Sequence, residues 1–285
     1  TGAEAGNVVN NSSTVVFTEI ETILGSNAVG GADGSDTFAM NVNFAGTINA
    51  RGGEDTLNIL TPLSQPVSFT GSVGGISDIE TIANISGLVS GFVLQLDTNA
   101  NSGTAVANNW NIDTTPDAPN GIINSGTLVE VDSGDIVLNT INFENFEGFT
   151  GNGLADNFTV TGPADIASVT GAGGSNSLSY QVGSNNDWLI TGSQSGTIDS
   201  TVTFTNIERI TGTGTDNLTA RNQENTWTIG NTQSENDVDS ITFAGMDALI
   251  GNDDVDNFVV NTAFSGAISG AGGDDDFTLN NDVTG

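Results

Sequence analysis

Carboxylates crowd into the glycine turns of this chain. Asp33-Gly34-Ser35-Asp36, Glu54-Asp55, Asp253-Asp254-Val255-Asp256 and Asp274-Asp275-Asp276 all set acids in or beside Gly-rich segments of the kind that make tight turns. Hard oxygen donors at that density suit Ca²⁺, which takes about six to eight oxygen ligands. The candidate calcium ligands are therefore Asp33, Asp36, Glu54, Asp55, Asp253, Asp254, Asp256, Asp274, Asp275 and Asp276. Solvated acidic turns are the alternative reading of the same residues. Ca²⁺ is the one cofactor the composition suggests.

Other chemistry is removed by what the chain lacks. Against 35 Asp and Glu stand 3 basic residues, Arg51, Arg209 and Arg221, with no His or Cys and a formal charge of −32. Without His, Cys or Lys there is no Ser-His-Asp triad, thiol nucleophile, Schiff base or ordinary N/S zinc site. Paired carboxylates can hydrolyse glycosides unaided, which makes Asp253-Asp254 a formal candidate. The β-helix polysaccharide hydrolases also need a Gly-His-Gly and a basic pair that this chain lacks, and an anionic polysaccharide would be repelled by this surface. The sequence points away from catalysis. Nucleic acid and anionic membranes are excluded as partners because both need basic side chains. No stretch approaches the roughly 20 apolar residues of a membrane span. Thr1–Gly6 has neither a basic region nor an apolar core, so a secretion signal is expected to be absent or removed.

The elements that position the acids are short strands. Val15-Val16-Phe17-Thr18-Glu19-Ile20-Glu21-Thr22-Ile23, Phe158-Thr159-Val160 and Phe277-Thr278-Leu279 alternate or cluster β-formers between Gly, Asn, Asp and Ser groups. A disordered acidic chain would have fewer Val, Ile, Leu and Phe than this one. The chain reads as all-β.

Self-similarity organises the strands. An apolar–acid–x–apolar motif appears at Ile20-Glu21, Ile79-Glu80, Phe146-Glu147, Ile207-Glu208 and Met246-Asp247, at steps of 59, 67, 61 and 39 residues. Those steps lie near multiples of about 20. Trp188 and Trp227 each precede a motif copy by 19 residues. Asp36-Thr37-Phe38, Asp156-Asn157-Phe158, Asp216-Asn217-Leu218 and Asp256-Asn257-Phe258 follow the motif, and a Gly-Gly turn about 20 residues later commonly leads to another strand. A period near 20 with strands this short predicts a right-handed parallel β-helix with coils of about 20 residues, and a β-sandwich array is the lesser alternative.

On that reading 1–285 is a single continuous β-solenoid of roughly 60-residue super-repeats, with approximate copies at 8–66, 67–126, 127–187, 188–226 and 227–285. The cadence is weakest over 83–135, and 112–126, with Pro116 and Pro119, is expected to be an inserted loop. About 14 coils at about 4.8 Å each give a rod near 65–70 Å. The charge is then about one per 2 Å, against roughly one per 1.7 Å in duplex DNA, so the rod should hold a cation atmosphere. The motif acids Glu21, Glu80, Glu147, Glu208 and Asp247 are expected to face outward from half-buried strands. Trp110, Trp188 and Trp227, at fixed phase with the core pattern, are expected to pack inward rather than form a glycan-stacking row.

The Ile/Phe-Glu-x-Ile/Phe…Gly…Asp-Asn/Thr-Phe/Leu cadence, with Gly52-Gly53-Glu54-Asp55-Thr56-Leu57, resembles the repeat regions of bacterial secreted and surface proteins. These are filamentous-haemagglutinin-like exoproteins, autotransporter passengers and haemolysin-type repeat adhesins. Gly30-Gly31-Ala32-Asp33-Gly34-Ser35-Asp36-Thr37-Phe38 is similar to the haemolysin-type calcium nonapeptide, with one extra residue before the third Gly and no tandem copy. The resemblance implies a non-enzymatic extracellular rod, as stalk, adhesin or fibre of a bacterial cell surface or biofilm matrix. A calcium-set repeat module is the second reading, and a β-helix polysaccharide-active enzyme the third. The implied partners are neighbouring repeats or the chain itself stacked end to end, with surface glycans or a host surface beyond that.

Overall fold

The computed structural model describes residues 105–113, 125–144, 146–162, 166–230 and 237–280, and before them the backbone of short strands between Ala5 and Leu96. No helix occurs among the described residues; the secondary structure is strand throughout. The chain forms two compact units, Thr1–Leu154 and Ala155–Gly285.

In the second unit parallel neighbours stack like on like. Phe158, Leu178, Ile210 and Phe243 are successive partners across four strands. Trp188, Leu218, Leu249 and Ile268 make a second column, and Trp227, Phe258 and Phe277 a third. In strands of alternating face, one inward residue per strand at a fixed register builds a continuous apolar column. All of these are buried except Ile268, which is half-buried, and Phe277, which is 52% exposed. Trp227 stacks on Phe258 at 5.4 Å, and Phe258 on Phe277 at 4.8 Å and 9°. The last distance is the spacing of adjacent strands, so rings in register are held at a favourable separation by the backbone itself.

The stacking step is not uniform. Phe158 to Leu178 is 20 residues, and Leu249 to Ile268 and Phe258 to Phe277 are 19. Between these ends the steps lengthen: Leu178 to Ile210 is 32, Trp188 to Leu218 is 30, and Trp227 to Phe258 is 31. The extra residues form antiparallel meanders, Asp187–Gly192 with Ser195–Ile198 and Val202–Thr205, and Asn225–Ile229 with Asp237–Val238 and Ile241–Asn252. Asp199-Ser200 and Asp239-Ser240 close two of the hairpins with both residues at positive φ, between 51° and 63°. Such a primed turn matches the right-handed twist of the strands it joins. In the second unit a stacking step of about 20 residues therefore holds only where no hairpin intervenes.

The first unit is built on the same plan with longer insertions. Thr37–Met40, Thr56–Ile59, Thr81–Asn84 and Val137–Glu144 are parallel neighbours. Val67–Phe69, Val93–Leu96 and Gly148–Thr150 form another parallel set, and Thr22–Leu24, Thr47–Asn49 and Ile76–Ser77 a third. The weak stretch of the sequence cadence is where Ala105–Asp113, Ser125–Asp132 and Val137–Glu144 run antiparallel. The expected loop at 112–126 begins and ends inside these strands, and 114–124 lie outside the described residues. Trp110 fills this region, 5.9 Å from Phe149 and 6.3 Å from Phe143.

Parallel columns joined by long connections are not the antiparallel meander of a β-sandwich. The fold is all-β, with a curled, mixed but largely parallel sheet.

Candidate functional site

The corners between strands carry the polar chemistry of the second unit. Two residues before seven of these stacked apolar residues stands an inward Asp or Asn: Asp156, Asn176, Asn186, Asp216, Asn225, Asp256 and Asp275; the other four, Ile210, Phe243, Leu249 and Ile268, follow Glu208, Ile241, the exposed Asp247 and Gly266. A strand alternates with period two, so the Asp or Asn side chain shares the inward face of the apolar residue it precedes. All seven are buried apart from Asp275, which is half-buried. Burying a carboxylate or amide is costly unless it is hydrogen-bonded, and here the backbone supplies the partners.

Asp216 is the fullest case. Its Oδ1 accepts from the Asn186 backbone N–H at 2.8 Å and the Asn186 Nδ2 at 2.9 Å. Its Oδ2 accepts from the Thr213 N–H at 2.9 Å and more distantly from the Trp188 indole at 3.4 Å. One oxygen thus ties the corner to the preceding layer and the other closes its own turn. Asp256 repeats the pattern, with Asn225 Nδ2 at 2.9 Å and the Trp227 indole at 3.3 Å on Oδ1, and the Asn252 N–H at 2.9 Å on Oδ2. The Asp256 N–H in turn donates to Asp275 Oδ1 at 3.0 Å.

At Asn176 an amide stands where the turn presents a carbonyl, and at Asn186 where the next layer presents a carboxylate. Asn176 Oδ1 accepts the Asp156 N–H at 2.9 Å while its Nδ2 donates to the Asn206 carbonyl at 3.0 Å. A glycine four or five residues ahead makes room. A Cβ on Gly171, Gly212, Gly251 or Gly270 would strike the side chain of Asn176, Asp216, Asp256 or Asp275 respectively.

Of the candidate calcium ligands, Asp33, Asp36, Glu54 and Asp55 lie outside the described residues. Asp253, Asp254, Asp274 and Asp276 are exposed, while Asp256 and Asp275 are drawn inward to corner bonds. The turns that carry them are stacked: the Gly272 N–H donates to the Asn252 carbonyl at 2.8 Å, and a Cβ on Gly272 would lie 3.2 Å from Asp253 Oδ1. Among the described residues no three acidic side chains converge closely enough to hold a metal ion between them.

The motif acids divide. Glu21 and Glu80 lie outside the described residues, Asp247 is exposed, and Glu147 and Glu208 are half-buried. Glu208 does more than face outward, since its Oε2 accepts the Asn176 backbone N–H at 2.6 Å. Trp110, Trp188 and Trp227 are at most 1% exposed and offer no stacking platform. Arg221 pairs with Asp239 through Nε at 2.6 Å and Nη2 at 2.7 Å.

Two titratable groups have shifted proton affinities. Burial raises the Glu130 carboxyl above its usual range. Burial, with Asp199 nearby, pushes the Tyr180 phenol up to about 12.

Comparison with family models, curated proteins and solved structures finds no match to this chain.

Proposed function

We propose that this chain is a non-enzymatic structural or adhesive element, a right-handed parallel β-solenoid working outside the cell on a bacterial surface or in an extracellular fibre. In this reading the basic coil is about 20 residues and grows to about 30–35 where a hairpin is inserted, as tolerated in stacked repeats. The observation that carries it is the use made of the inward polar groups. Asn176, Asp216, Asp256 and Asp275 each bind the layer before them. Polar side chains spent on holding one layer to the next belong to a scaffold.

The outward positions favour the same reading. Asn157 meets Ser177, Asp187 meets Asn217, Thr170 meets Thr205 and Asn261 meets Asn280 in hydrogen-bonded pairs along the stack. Phe277 and Leu279, 52% and 62% exposed, continue columns whose earlier members Phe258 and Val260 are buried. They would suit a further layer, from the same protein or a second copy.

Negative-stain electron microscopy of the purified chain tests the proposal. Elongated particles about 5 Å longer per stacked layer are expected, and end-to-end stacking would give fibres beyond about 70 Å. Compact isometric particles would refute the rod. Hydrolysis of a polysaccharide panel would refute the non-enzymatic part.

A further inference from the structure

The first column of one unit and the last column of the other are finished differently. In the first unit the column Phe38, Leu57, Ile82 and Phe143 begins at Thr37–Met40. The hairpin of Ala5–Asn10 and Ser13–Thr18 lies antiparallel along the other edge of that strand, with Val8 opposite Phe38. Phe38 is only 4% exposed. In the second unit the ring at the far end of its column, Phe277, is 52% exposed, and Leu279 is 62% exposed. Their strand, Asp276–Leu279, pairs with Asp256–Val260 along one edge, and no strand among the described residues pairs with the other. An open strand edge carries a row of unspent N–H and C=O groups, which is a template for another chain.

We propose that Asp276–Leu279 is a dimerisation edge, paired antiparallel about a two-fold axis with the same strand of a second copy, an inference that rests on the scaffold reading and names its partner. The strand itself specifies this occupant. Successive residues of a paired strand turn their N–H and C=O groups to alternate edges. The Asn280 N–H is spent on the Val260 carbonyl at 3.0 Å, so the backbone groups of Phe277 and Leu279 point to the open edge. A pairing centred on Thr278 sets Phe277 opposite the partner's Leu279, where each N–H meets a carbonyl, and Asp276 opposite the partner's Asn280. The apolar residues then continue one inward face, and each carboxylate meets an amide. Centring on Phe277 would set the inward Asp275 against the partner's Leu279, and centring on Asp276 would oppose two carboxylates. An odd offset would set inward side chains against outward ones. The strand is thus self-complementary in one register, as an isologous contact requires. Head-to-tail growth would instead need an open edge on the first layer of the next copy, where the hairpin already covers Phe38. Association therefore closes at two copies. A contact one strand wide belongs with weak, transient interfaces, and the charge of −32 on each copy opposes it further at low salt.

The chain has no cysteine, so Thr278→Cys introduces its sole thiol. Across the two-fold axis the two Thr278 Cα atoms form a pair not joined by hydrogen bonds, about 4.5 Å apart. That lies within the roughly 4.4–6.8 Å a disulfide spans. Mild oxidation of the full chain carrying Thr278→Cys should give a covalent dimer on a non-reducing gel. Thr226→Cys, exposed in an inner layer of the same sheet, should not. Sedimentation of the unaltered chain should show monomer and dimer and nothing larger, with the dimer favoured as NaCl screens the acidic surface. Leu279→Pro removes an N–H aimed at the open edge and no bond within the chain. It should weaken the dimer at least about tenfold, since each copy loses a hydrogen bond, and leave the circular dichroism unchanged. Equal cross-linking of the two cysteine variants, a monomer at every salt concentration, or association indifferent to Leu279→Pro would overturn the dimer edge. Fibres from the unaltered chain would overturn closure at two copies. Elongated particles that stay monomeric would reject this edge alone, whereas compact isometric particles would reject the scaffold reading on which it rests.

Discussion

Replacing Asp216 by Asn changes one oxygen to an amino group and nothing in shape, yet it should destabilise the second unit. The carboxylate now receives backbone N–H groups on both oxygens, Asn186 at 2.8 Å and Thr213 at 2.9 Å. A carboxamide accepts on one side only. Whichever way it turns, its amino group meets a backbone donor, and a buried donor left without an acceptor costs about 1–3 kcal/mol. Loss of the charge-assisted character of the remaining bonds adds to this, while relief from burying a charge subtracts. The net expectation for Asp216→Asn is about 2–3 kcal/mol, with about 3–5 kcal/mol for Asp216→Ala, which orphans both donors. The reciprocal change, Asn176→Asp, should cost about 2 kcal/mol by setting a carboxylate against the Asn206 carbonyl that Asn176 Nδ2 now reaches at 3.0 Å. Urea unfolding followed by circular dichroism and tryptophan emission measures all three. If Asp216→Asn and Asn176→Asp both fall within about 0.5 kcal/mol of the parent, as ordinary surface changes do, the idea that each corner chooses its acid or amide by the group facing it is wrong.

Other consequences can be measured on the same protein. Gly212→Ala places a methyl group against the Asp216 carboxylate and should cost at least about 2 kcal/mol through overpacking, read as a lowered urea midpoint. Tyr180 is the only tyrosine, so absorbance titration should show its phenolate half-formed only at about pH 12 while the fold persists. An unfolded tyrosine ionises near its ordinary value of 10.0. The Tyr180 contribution is therefore complete below pH 10.0, and stability falls as pH rises from there towards about 12. Tyr180→Phe should remove that slope, and an unchanged slope would assign it elsewhere. Glu130, whose proton affinity burial raises, opposes folding when ionised. Glu130→Gln should therefore stabilise at pH 7, and the gain should vanish once pH falls below the ordinary carboxyl value, as measured by thermal unfolding at both pH values.

The strand character, the parallel stacking and the inward tryptophans were legible in the sequence because each is carried by periodicity. Phe158 and Leu178 stand one stacking step apart in the chain and are partners in the sheet. The hairpins were not legible, since a meander adds about ten residues without disturbing the parity of the strands that follow. The motif step of 39 between Ile207 and Met246 consequently differs from the 31 separating the paired Leu218 and Leu249. The corner acids were misjudged for another reason. Asp256 sits in an acidic turn, and composition reads that as surface, but it shares parity with Phe258 and is buried with it. Counting back two residues from each inward aromatic would have separated Asp256 and Asp275 from Asp253, Asp254 and Asp274. Glu208 gives no such signal, because its bond to the Asn176 N–H comes from a residue 32 positions away.

The scarcity of basic residues explains why the corners are built from backbone. A buried carboxylate is ordinarily held by Arg or Lys, and here 35 acids share 3 arginines, of which Arg221 is already paired with Asp239. The remaining donors are peptide N–H groups, carboxamides and indoles, which Asp216 and Asp256 use. Neutral donors are arranged by the fold itself, so a corner acid is satisfied only when the adjacent layer is in register. A one-residue slip would turn each inward acid to the outer face and expose the apolar column with it. The same side chains that cost most to bury therefore fix which layer sits on which, and this specificity is available to a chain with almost no positive charge.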